Sequence, residues 1–290
     1  MTEATDSSNT SYFETNRARW AESVPIHAAS QGYDMEGYLR GEKTLYALEM
    51  EEVGDVTGKT LLHLQCHFGM DTLNWARLGA RVTGIDFSPA GVEQARRLAE
   101  RIGVTDATFV QSNVYDARAA LDGEFDVVYT GIGALNWLPD IRGWAEVAAS
   151  FVKPGAFLYL YEAHPMLWAL DDEREDHRLV VARPYFETTT PTEWNEPATY
   201  VDGPRLANSQ LFQWNHGMGE IVSAIIDAGL RLDFLHEHRE IAWKAMPRMI
   251  PTSGETASGS LYSRRVGWRL PDDQVDWVPL MYSIKATKPQ

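Results

Sequence analysis

Short apolar runs alternate with amphipathic stretches along residues 60–161, and two further apolar runs lie near the carboxyl end. Continuous apolar runs of this kind are typical of strands that are covered on both faces. We predict seven strands, at residues 60–65, 80–86, 107–111, 125–130, 156–161, 230–238 and 280–287.

The stretches between these runs have helical periodicity. We predict helices at 70–78, 89–102, 140–151 and 217–228. Ser88 and Pro89 are typical of a helix start, and Gly103 of a helix end. Strands that alternate with helices predict an α/β fold with a mostly parallel sheet.

Two segments lie outside this alternation. Residues 1–57 are predicted to form a helical arm, followed by one α/β domain over 58–290. An insertion at about 164–213 breaks the rhythm, with possible short strands at 179–185 and 198–201, and residues 248–271 are rich in Gly and Ser. A loop as long as this insertion is usually functional, so we interpret it as a lid.

The first strand enters a tight turn that contains Gly69, and the second strand ends at Asp86, 17 residues later. This spacing is close to the roughly 20 residues that separate the phosphate-side turn from the ribose-binding acid in nucleotide-binding βαβ units. A carboxylate offers two acceptor oxygens, so Asp86 is expected to accept both ribose hydroxyls. The sequence therefore predicts that the protein binds a nucleoside-containing cofactor.

The charge and the cysteine content limit the classes of molecule that this protein can bind. The formal net charge of −15 disfavours nucleic acid and anionic membranes, because both require a basic surface. No apolar run is long enough for a membrane span. Cys66 is the single cysteine, which fits a reducing cytoplasm, and with His63 and His67 it offers too few ligands for zinc, so no metal is expected. The oligomeric state stays open between monomer and homodimer.

Four marks occur in the order of one known family. They are the turn after strand one, Gly84-Ile85-Asp86-Phe87-Ser88, Phe125-Asp126-Val127-Val128-Tyr129 before a Gly-containing loop, and Val152-Lys153-Pro154-Gly155. From about residue 58 to 289 the chain resembles class I S-adenosylmethionine-dependent methyltransferases, in particular the small-molecule branch. The resemblance implies a Rossmann-like seven-stranded sheet with an antiparallel last strand. It also implies S-adenosyl-L-methionine as cofactor, S-adenosyl-L-homocysteine as product and a small-molecule acceptor.

The turn after strand one departs from the family. The family's pattern is acid-x-Gly-x-Gly-x-Gly, and these positions are His63, Gln65, His67 and Gly69 here. Glycine normally lets the backbone approach a ligand closely. We therefore expect Gln65 and His67 to adopt other conformations or to point away from the cofactor, with side chains available to the methionine carboxylate.

By the same resemblance, the cofactor is expected to contact residues at the ends of the first four strands. Asn113 matches the adenine-contacting position, Phe87 packs on adenine, and Thr130 and Gly131 lie beneath the sulfonium. The full set is His63, Gln65, Cys66, Gly69, Asp86, Phe87, Ser88, Asn113, Val114, Thr130 and Gly131.

Methyl transfer from a sulfonium needs mainly in-line positioning, and a base only if the acceptor must lose a proton. The candidate bases are His27, His164 and His216. His164 is preferred, because it follows the carboxyl end of strand five. The expected acceptor-binding residues are Trp20, Tyr33, Asn136, Trp137, Glu162 and Trp214.

Two absences favour a metal-independent enzyme for small molecules. The Asn-Pro-Pro-aromatic signature of nucleic-acid and protein amide methylases is missing after strand four, and Thr130 stands where catechol-type enzymes carry an acidic metal ligand. The acceptor atom stays open among O, N and C. Two alternatives remain: a degenerate cofactor-binding regulatory protein, and a nicotinamide-dependent oxidoreductase, which the missing Gly-x-Gly-x-x-Gly weakens.

Overall fold

The computed structural model describes residues 3–252 and 267–290, with side chains from residue 9 onward. Much of the Gly/Ser-rich stretch predicted at 248–271 therefore lies outside the described residues. The helices are α1 (Glu3–Ala29), α2 (Met35–Leu39), α3 (Ala47–Val53), α4 (Met70–Arg77), α5 (Pro89–Ile102), α6 (Ala117–Ala120), α7 (Ile141–Ser150), α8 (Pro165–Ala169) and α9 (Met218–Asp227). Short 3₁₀ turns span Val114–Asp116 and Leu135–Trp137.

The strands confirm the predicted main sheet. They are β1 (Thr60–Leu64), β2 (Arg81–Asp86), β3 (Thr108–Gln111), β4 (Phe125–Thr130), β5 (Val152–Ala163), β6 (Thr192–Asn195), β7 (Gln210–Gln213), β8 (Arg231–His238), β9 (Glu240–Ile241), β10 (Ile250–Pro251), β11 (Trp268–Arg269) and β12 (Met281–Thr287). Seven of them form a sheet in the order β3-β2-β1-β4-β5-β12-β8. β12 is antiparallel to both of its neighbours, and the first five strands of this order are parallel.

Helices cover both faces of the sheet, as the apolar character of its strands predicts. On one face α7 and α9 bury Trp144 and Ile225 against β4, β5 and β12. On the other face Trp75 of α4 packs with Leu61 and Val127. The parallel strands therefore direct their carboxyl ends to one edge of the sheet, where ligands bind in folds of this kind.

Strand five begins four residues earlier than predicted. Pro154 and Gly155 lie inside β5 instead of in a turn before it, and the register between β4 and β5 shifts at this point. Gly155 has φ 78° and its N–H donates to the carbonyl of Lys288. The positive φ and this bond let the strand continue through an irregularity.

The strands predicted inside the insertion were wrong. Residues 198–201 form no strand, and 179–185 contributes only a single bridge, between Val181 and Leu170. The insertion's hairpin is instead β6 with β7, and it rests on α1. Its sequence signal is weak because both strands are four residues long and partly polar.

Polar side chains of α1 bind the backbone of this hairpin. Asn16 donates to the carbonyl of Phe212 at 2.8 Å and accepts from its N–H at 2.9 Å. The guanidinium of Arg19 donates to the carbonyls of Glu196 at 2.6 Å and Ala198 at 2.7 Å, and also to that of Ser209. The arm and the insertion are thus fastened together, although the division of the chain at residue 57 stays a prediction.

Within residues 3–252 and 267–290, no helix has the length and apolar character that crossing a bilayer requires.

Candidate functional site

A cavity of about 330 Å³ lies at the carboxyl ends of β1 to β4. Its floor is formed by residues that follow these four strands, among them Gln65, Asp86, Asn113 and Gly131. Residues from α1 and from the insertion also line it, including Trp20 and Gln213. The volume falls in the range of small-molecule sites, about 300–1,000 Å³.

In the turn after β1, two residues other than glycine have the left-handed backbone conformation that favours glycine. Gln65 has φ 57°, His67 has φ 54° and Gly69 has φ 79°. Of the two alternatives expected for Gln65 and His67, other conformations were therefore wrong. Both residues line the cavity, and their orientation relative to the cofactor stays a prediction. Each such residue costs on the order of 1 kcal/mol, so the surroundings must hold the turn in place. The Gln65 amide nitrogen donates to the carbonyl of Ala134 at 2.8 Å, and the His67 N–H donates to Asp86 at 2.7 Å.

Packing explains why only the last glycine of the pattern remains. A Cβ added at Gly69 would lie 2.8 Å from Cβ of Ala95 and 2.8 Å from the ring of Phe109. Both neighbours belong to the buried core between α5 and β3, so neither can move freely. Gly69 is therefore required by a close approach as well as by its positive φ.

Asp86 lies at the end of β2 with a side chain that is only 7% exposed. One carboxylate oxygen accepts from the N–H of Ser88 at 2.8 Å and the other from the N–H of His67. Burial raises the pKa of this carboxyl to about 7, against the lowering effect of the two N–H donors. Each oxygen keeps a second lone pair, so the group can also accept hydroxyl donors from the cavity.

The other adenosine-side residues hold a mixture of roles. Phe87, Asn113 and Val114, which were predicted to contact the cofactor, line the cavity. The Asn113 carbonyl oxygen accepts from the N–H of Tyr115, which leaves its amide nitrogen as a donor for a ligand. Ser88 does not line the cavity, because its hydroxyl caps α5 through the N–H of Gly91.

His63 and Cys66 line the cavity, but the chemistry of each is restrained by its contacts. The His63 ring bonds the hydroxyl of Thr72 at 2.8 Å. Burial, together with the nearby charge of Asp86, raises the pKa of the Cys66 thiol well above its usual range, so it is an inert buried filler. Among the residues that the structure describes, no cluster of three or more His, Cys, Asp or Glu could hold a metal ion.

Two residues at the end of strand four were predicted to contact the cofactor, and one of them lines the cavity. Gly131 lines the cavity, whereas Thr130 is completely buried and does not reach it. Glu162 explains the shape of the loop that follows. Its carboxylate accepts from the N–H groups of Gly133 and Ala134, both at 2.7 Å. Glu162 therefore stabilises the loop after β4 and, contrary to the expectation of an acceptor contact, does not line the cavity.

The preferred base, His164, does not line the cavity. Its Nδ1 accepts from the N–H of Met166, which caps α8, and its Nε2 lies 2.9 Å from a carboxylate oxygen of Glu237. The prediction failed because the position after a strand fixes where a residue is, but not which way its side chain turns.

His216 does not line the cavity either. Its ring joins Glu187, at 2.8 Å, to the carbonyl of Leu135, at 3.1 Å. Both ring nitrogens are thus used to connect the insertion with the loop after β4. Trp214, expected to contact the acceptor, is also buried away from the cavity, with its ring 5.8 Å from that of Tyr12.

His27 lies behind the cavity wall. Its Nε2 bonds the hydroxyl of Thr199 at 2.7 Å, and its Nδ1 lies 3.3 Å from the hydroxyl of Tyr200 and 3.4 Å from Nε2 of His67. Burial, reinforced by the charge of Arg19, lowers the pKa of His27 to about 3. The ring is therefore neutral near pH 7 and connects the arm, the turn and the insertion.

The remaining predicted acceptor residues, Trp20, Tyr33, Asn136 and Trp137, do line the cavity. Sequence reasoning missed other lining residues, many of which come from segments far from the ends of β1 to β4. These residues are Phe13, Asn16, Tyr46, Glu49, Phe68, Met70, Asp71, Ile85, Ser112, Tyr129, Ile132, Gly133, Ala134, Leu138, Trp168, Tyr200, Gln213, Trp243 and Lys244. The aromatic content of the chain was the one signal for these residues, and it does not say which rings face the cavity.

The comparisons agree with this geometry. The family model described as "Methyltransferase domain" matches residues 62–158. This match covers about a third of the chain. Its fold is also that of an S-adenosylmethionine-dependent methyltransferase from Mesorhizobium loti, with a TM-score of 0.57 and 20% identity over 86% of this chain and 99% of that one. The glycopeptide N-methyltransferase MtfA in complex with sinefungin has a TM-score of 0.51 and 19% identity, over 86% and 87% of the two chains.

A curated relative, the ubiquinone biosynthesis O-methyltransferase of Cronobacter sakazakii, is 33% identical over 135 residues. The match covers 45% of this chain and 55% of the relative. The chain thus spans about half the length of the curated relatives that it matches.

The residues that line the cavity come partly from the segment that the family model matches and partly from other segments. Gln65, Asp86, Asn113 and Asn136 lie within the matched residues. The arm, the insertion and the segment after β9 lie outside them and supply many of the lining residues that sequence reasoning missed. The family match therefore covers the part of the cavity that lies at the ends of β1 to β4, and not the part formed by the arm, the insertion and the segment after β9.

Proposed function

We propose that this protein is a methyltransferase that transfers the methyl group of S-adenosyl-L-methionine to a small organic molecule. The observation that carries this proposal is a single cavity that runs from Asn113 and Asp86 across the ends of β1 and β4. The ends of β3 and β2 offer a donor and a buried carboxylate for the adenosine. The remaining space, under the arm and the insertion, suits a small acceptor.

When bound, the cofactor supplies an activated sulfonium, so the chain has to orient the two reactants and exclude water. Trp20 and Trp137, with ring centroids 5.3 Å apart, form a rigid part of the wall on this side. The three predicted bases all lie outside the cavity lining. His63 and His67 do line it. We therefore propose that none of the three predicted histidines acts as a base, that the accepting atom is O, N or C, and that no metal takes part.

The first test is calorimetric titration with S-adenosyl-L-homocysteine. We expect micromolar affinity, about −8 kcal/mol, in the wild type. Asp86→Asn should weaken it, and Asp106→Asn is the matched control, because Asp106 is exposed and does not line the cavity. No binding up to millimolar concentration would overturn the proposal.

The second test is transfer of a labelled methyl group to a panel of small phenols, amines and carbon acids. Transfer to at least one class is expected. Tight cofactor binding without transfer to any acceptor would favour the cofactor-binding regulatory alternative. Binding of NADH in place of S-adenosyl-L-homocysteine would favour the oxidoreductase alternative.

A further inference from the structure

Lys244 places a positive charge on the wall of the cavity. Among the described residues that line it, Lys244 is the one Lys or Arg side chain. It is partly buried, and it belongs to the segment that follows β9. In a chain with a net charge of −15, a cation directed at an aromatic cavity is a distinct chemical feature.

The ammonium group of Lys244 has no anionic partner among the residues that the structure describes. Its nearest recorded contact is the ring of Trp268, whose centroid lies 5.5 Å from Nζ. Lys153 and Lys288, by contrast, each pair with a carboxylate, at 2.8 Å and 3.3 Å. A cation–π contact offsets only part of the cost of partial burial. Lys244 therefore has no counter-ion among residues 3–252 and 267–290, and its ammonium group is available to an anion that enters the cavity.

The two carboxylates that line the same cavity beside Asp86 are engaged elsewhere. Glu49 accepts from the hydroxyl of Tyr129 at 2.5 Å and from the N–H of Tyr46 at 2.9 Å. Asp71 accepts from the hydroxyl of Thr44 at 2.6 Å. Neither lies within 4.0 Å of Lys244, so neither acts as its counter-ion.

The sheet order indicates which end of the cavity Lys244 occupies. The adenosine side lies over β3 and β2, and the next strands in the sheet are β1, β4 and β5. Trp168, which follows β5 in α8, stacks on Trp243 with ring centroids 6.2 Å apart and an angle of 26°. Lys244 follows Trp243 directly, which places it on the side of the cavity away from the adenosine.

We propose that the acceptor of this methyltransferase is an aromatic or apolar molecule with a carboxylate, which Lys244 binds. This inference rests on the proposed function, since it deepens the description of the same site. Trp168 and Trp243 bound the apolar body of the acceptor. A monoanion fits better than a phosphate dianion, because Glu49 and Asp71 also line the cavity and would repel a second negative charge.

The test measures binding to the full chain saturated with S-adenosyl-L-homocysteine. The probes are two matched pairs: 4-hydroxycinnamate with 4-hydroxycinnamamide, and 2-naphthoate with 2-naphthamide. Tryptophan fluorescence is the readout, because Trp168 and Trp243 line this end of the cavity. In the wild type we expect the carboxylate of at least one pair to bind about tenfold more tightly than its amide, the size expected for a hydrogen bond to a charged group.

The variants assign this preference to Lys244. Lys244→Met should abolish it and Lys244→Arg should retain it. Lys43→Met is the matched control, because Lys43 is exposed and outside the cavity lining, and it should leave the preference unchanged. A preference that persists in Lys244→Met, or the absence of any preference in the wild type, would overturn the inference.

The outcome separates this inference from the proposed function. Loss of S-adenosyl-L-homocysteine binding in the wild type would overturn the methyltransferase proposal itself. Normal cofactor binding without a carboxylate preference would overturn only the role of Lys244.

Discussion

Replacing Asp86 by asparagine should make the fold more stable and the cofactor weaker at the same time. The pKa of Asp86 is raised by burial from 3.8 to about 7. At about 1.4 kcal/mol per pKa unit, ionising this carboxyl in the folded protein without cofactor costs about 4 kcal/mol. An amide carries no charge and avoids this cost, but it cannot accept from both the His67 and Ser88 N–H groups. Losing one acceptor costs about 1–3 kcal/mol, so the net gain at pH 8 is about 2 kcal/mol.

The direction of the pH dependence follows from the raised pKa. Between pH 4 and 7 the folded protein holds the Asp86 proton more tightly than the unfolded chain does. The contribution of Asp86 to stability is therefore fully present below pH 4, falls as the pH rises through this window, and is constant above 7. Cofactor binding has the opposite trend, because ribose hydroxyls require the ionised form. Affinity should fall about tenfold for each pH unit below 7.

The assay is paired. Urea unfolding and S-adenosyl-L-homocysteine calorimetry are measured from pH 5 to pH 8.5 for the wild type, Asp86→Asn and the control Asp106→Asn. The difference between the wild type and Asp86→Asn isolates Asp86 from every other titrating group. Identical pH profiles for these two proteins, in both unfolding and binding, would refute the raised pKa and the ribose contact together.

Two further predictions concern residues outside the cavity. His164→Ala should lower the free energy of unfolding by about 1–2 kcal/mol, because it removes the cap of α8. The affinity for S-adenosyl-L-homocysteine should stay within about twofold of the wild type. A loss of affinity with unchanged stability would instead indicate that His164 acts in the site. Arg19→Met should increase hydrogen exchange of residues 192–213, because it removes the bonds from α1 to the hairpin; unchanged exchange there would mean that Asn16 alone fastens the two segments.

The main sheet could be predicted because its strands carry their own signal. β1, β2 and β4 are buried on both faces, so their apolar runs depend little on context. The insertion's hairpin lacks such a signal. β6 and β7 owe their positions to Asn16 and Arg19, which contact them across 177–196 residues of chain. No local pattern contains a contact of that length.

The part of the cavity that we propose for the cofactor could be located from the sequence for a similar reason. Asp86 and Asn113 end consecutive strands, and the carboxyl ends of parallel strands meet at one edge of the sheet. The part of the cavity that we propose for the acceptor is formed by the arm, the loop after β5 and the segment after β9. Tyr46, Trp168 and Lys244 come together there only through tertiary contacts, which no local sequence pattern contains. The histidines failed for a third reason, since capping and ion pairing decided their orientation.

The hydrogen bonds between α1 and the β6–β7 hairpin can form only late in protein synthesis. Arg19 leaves the ribosome 177 residues before Glu196, its partner in the hairpin. At translation rates of about 5–20 residues per second, the arm waits about 10–35 s for that partner. The arm and the hairpin can therefore cover the cavity only after β1 to β5 have been synthesised. Until then, the turn after β1 in the nascent chain is exposed to solvent.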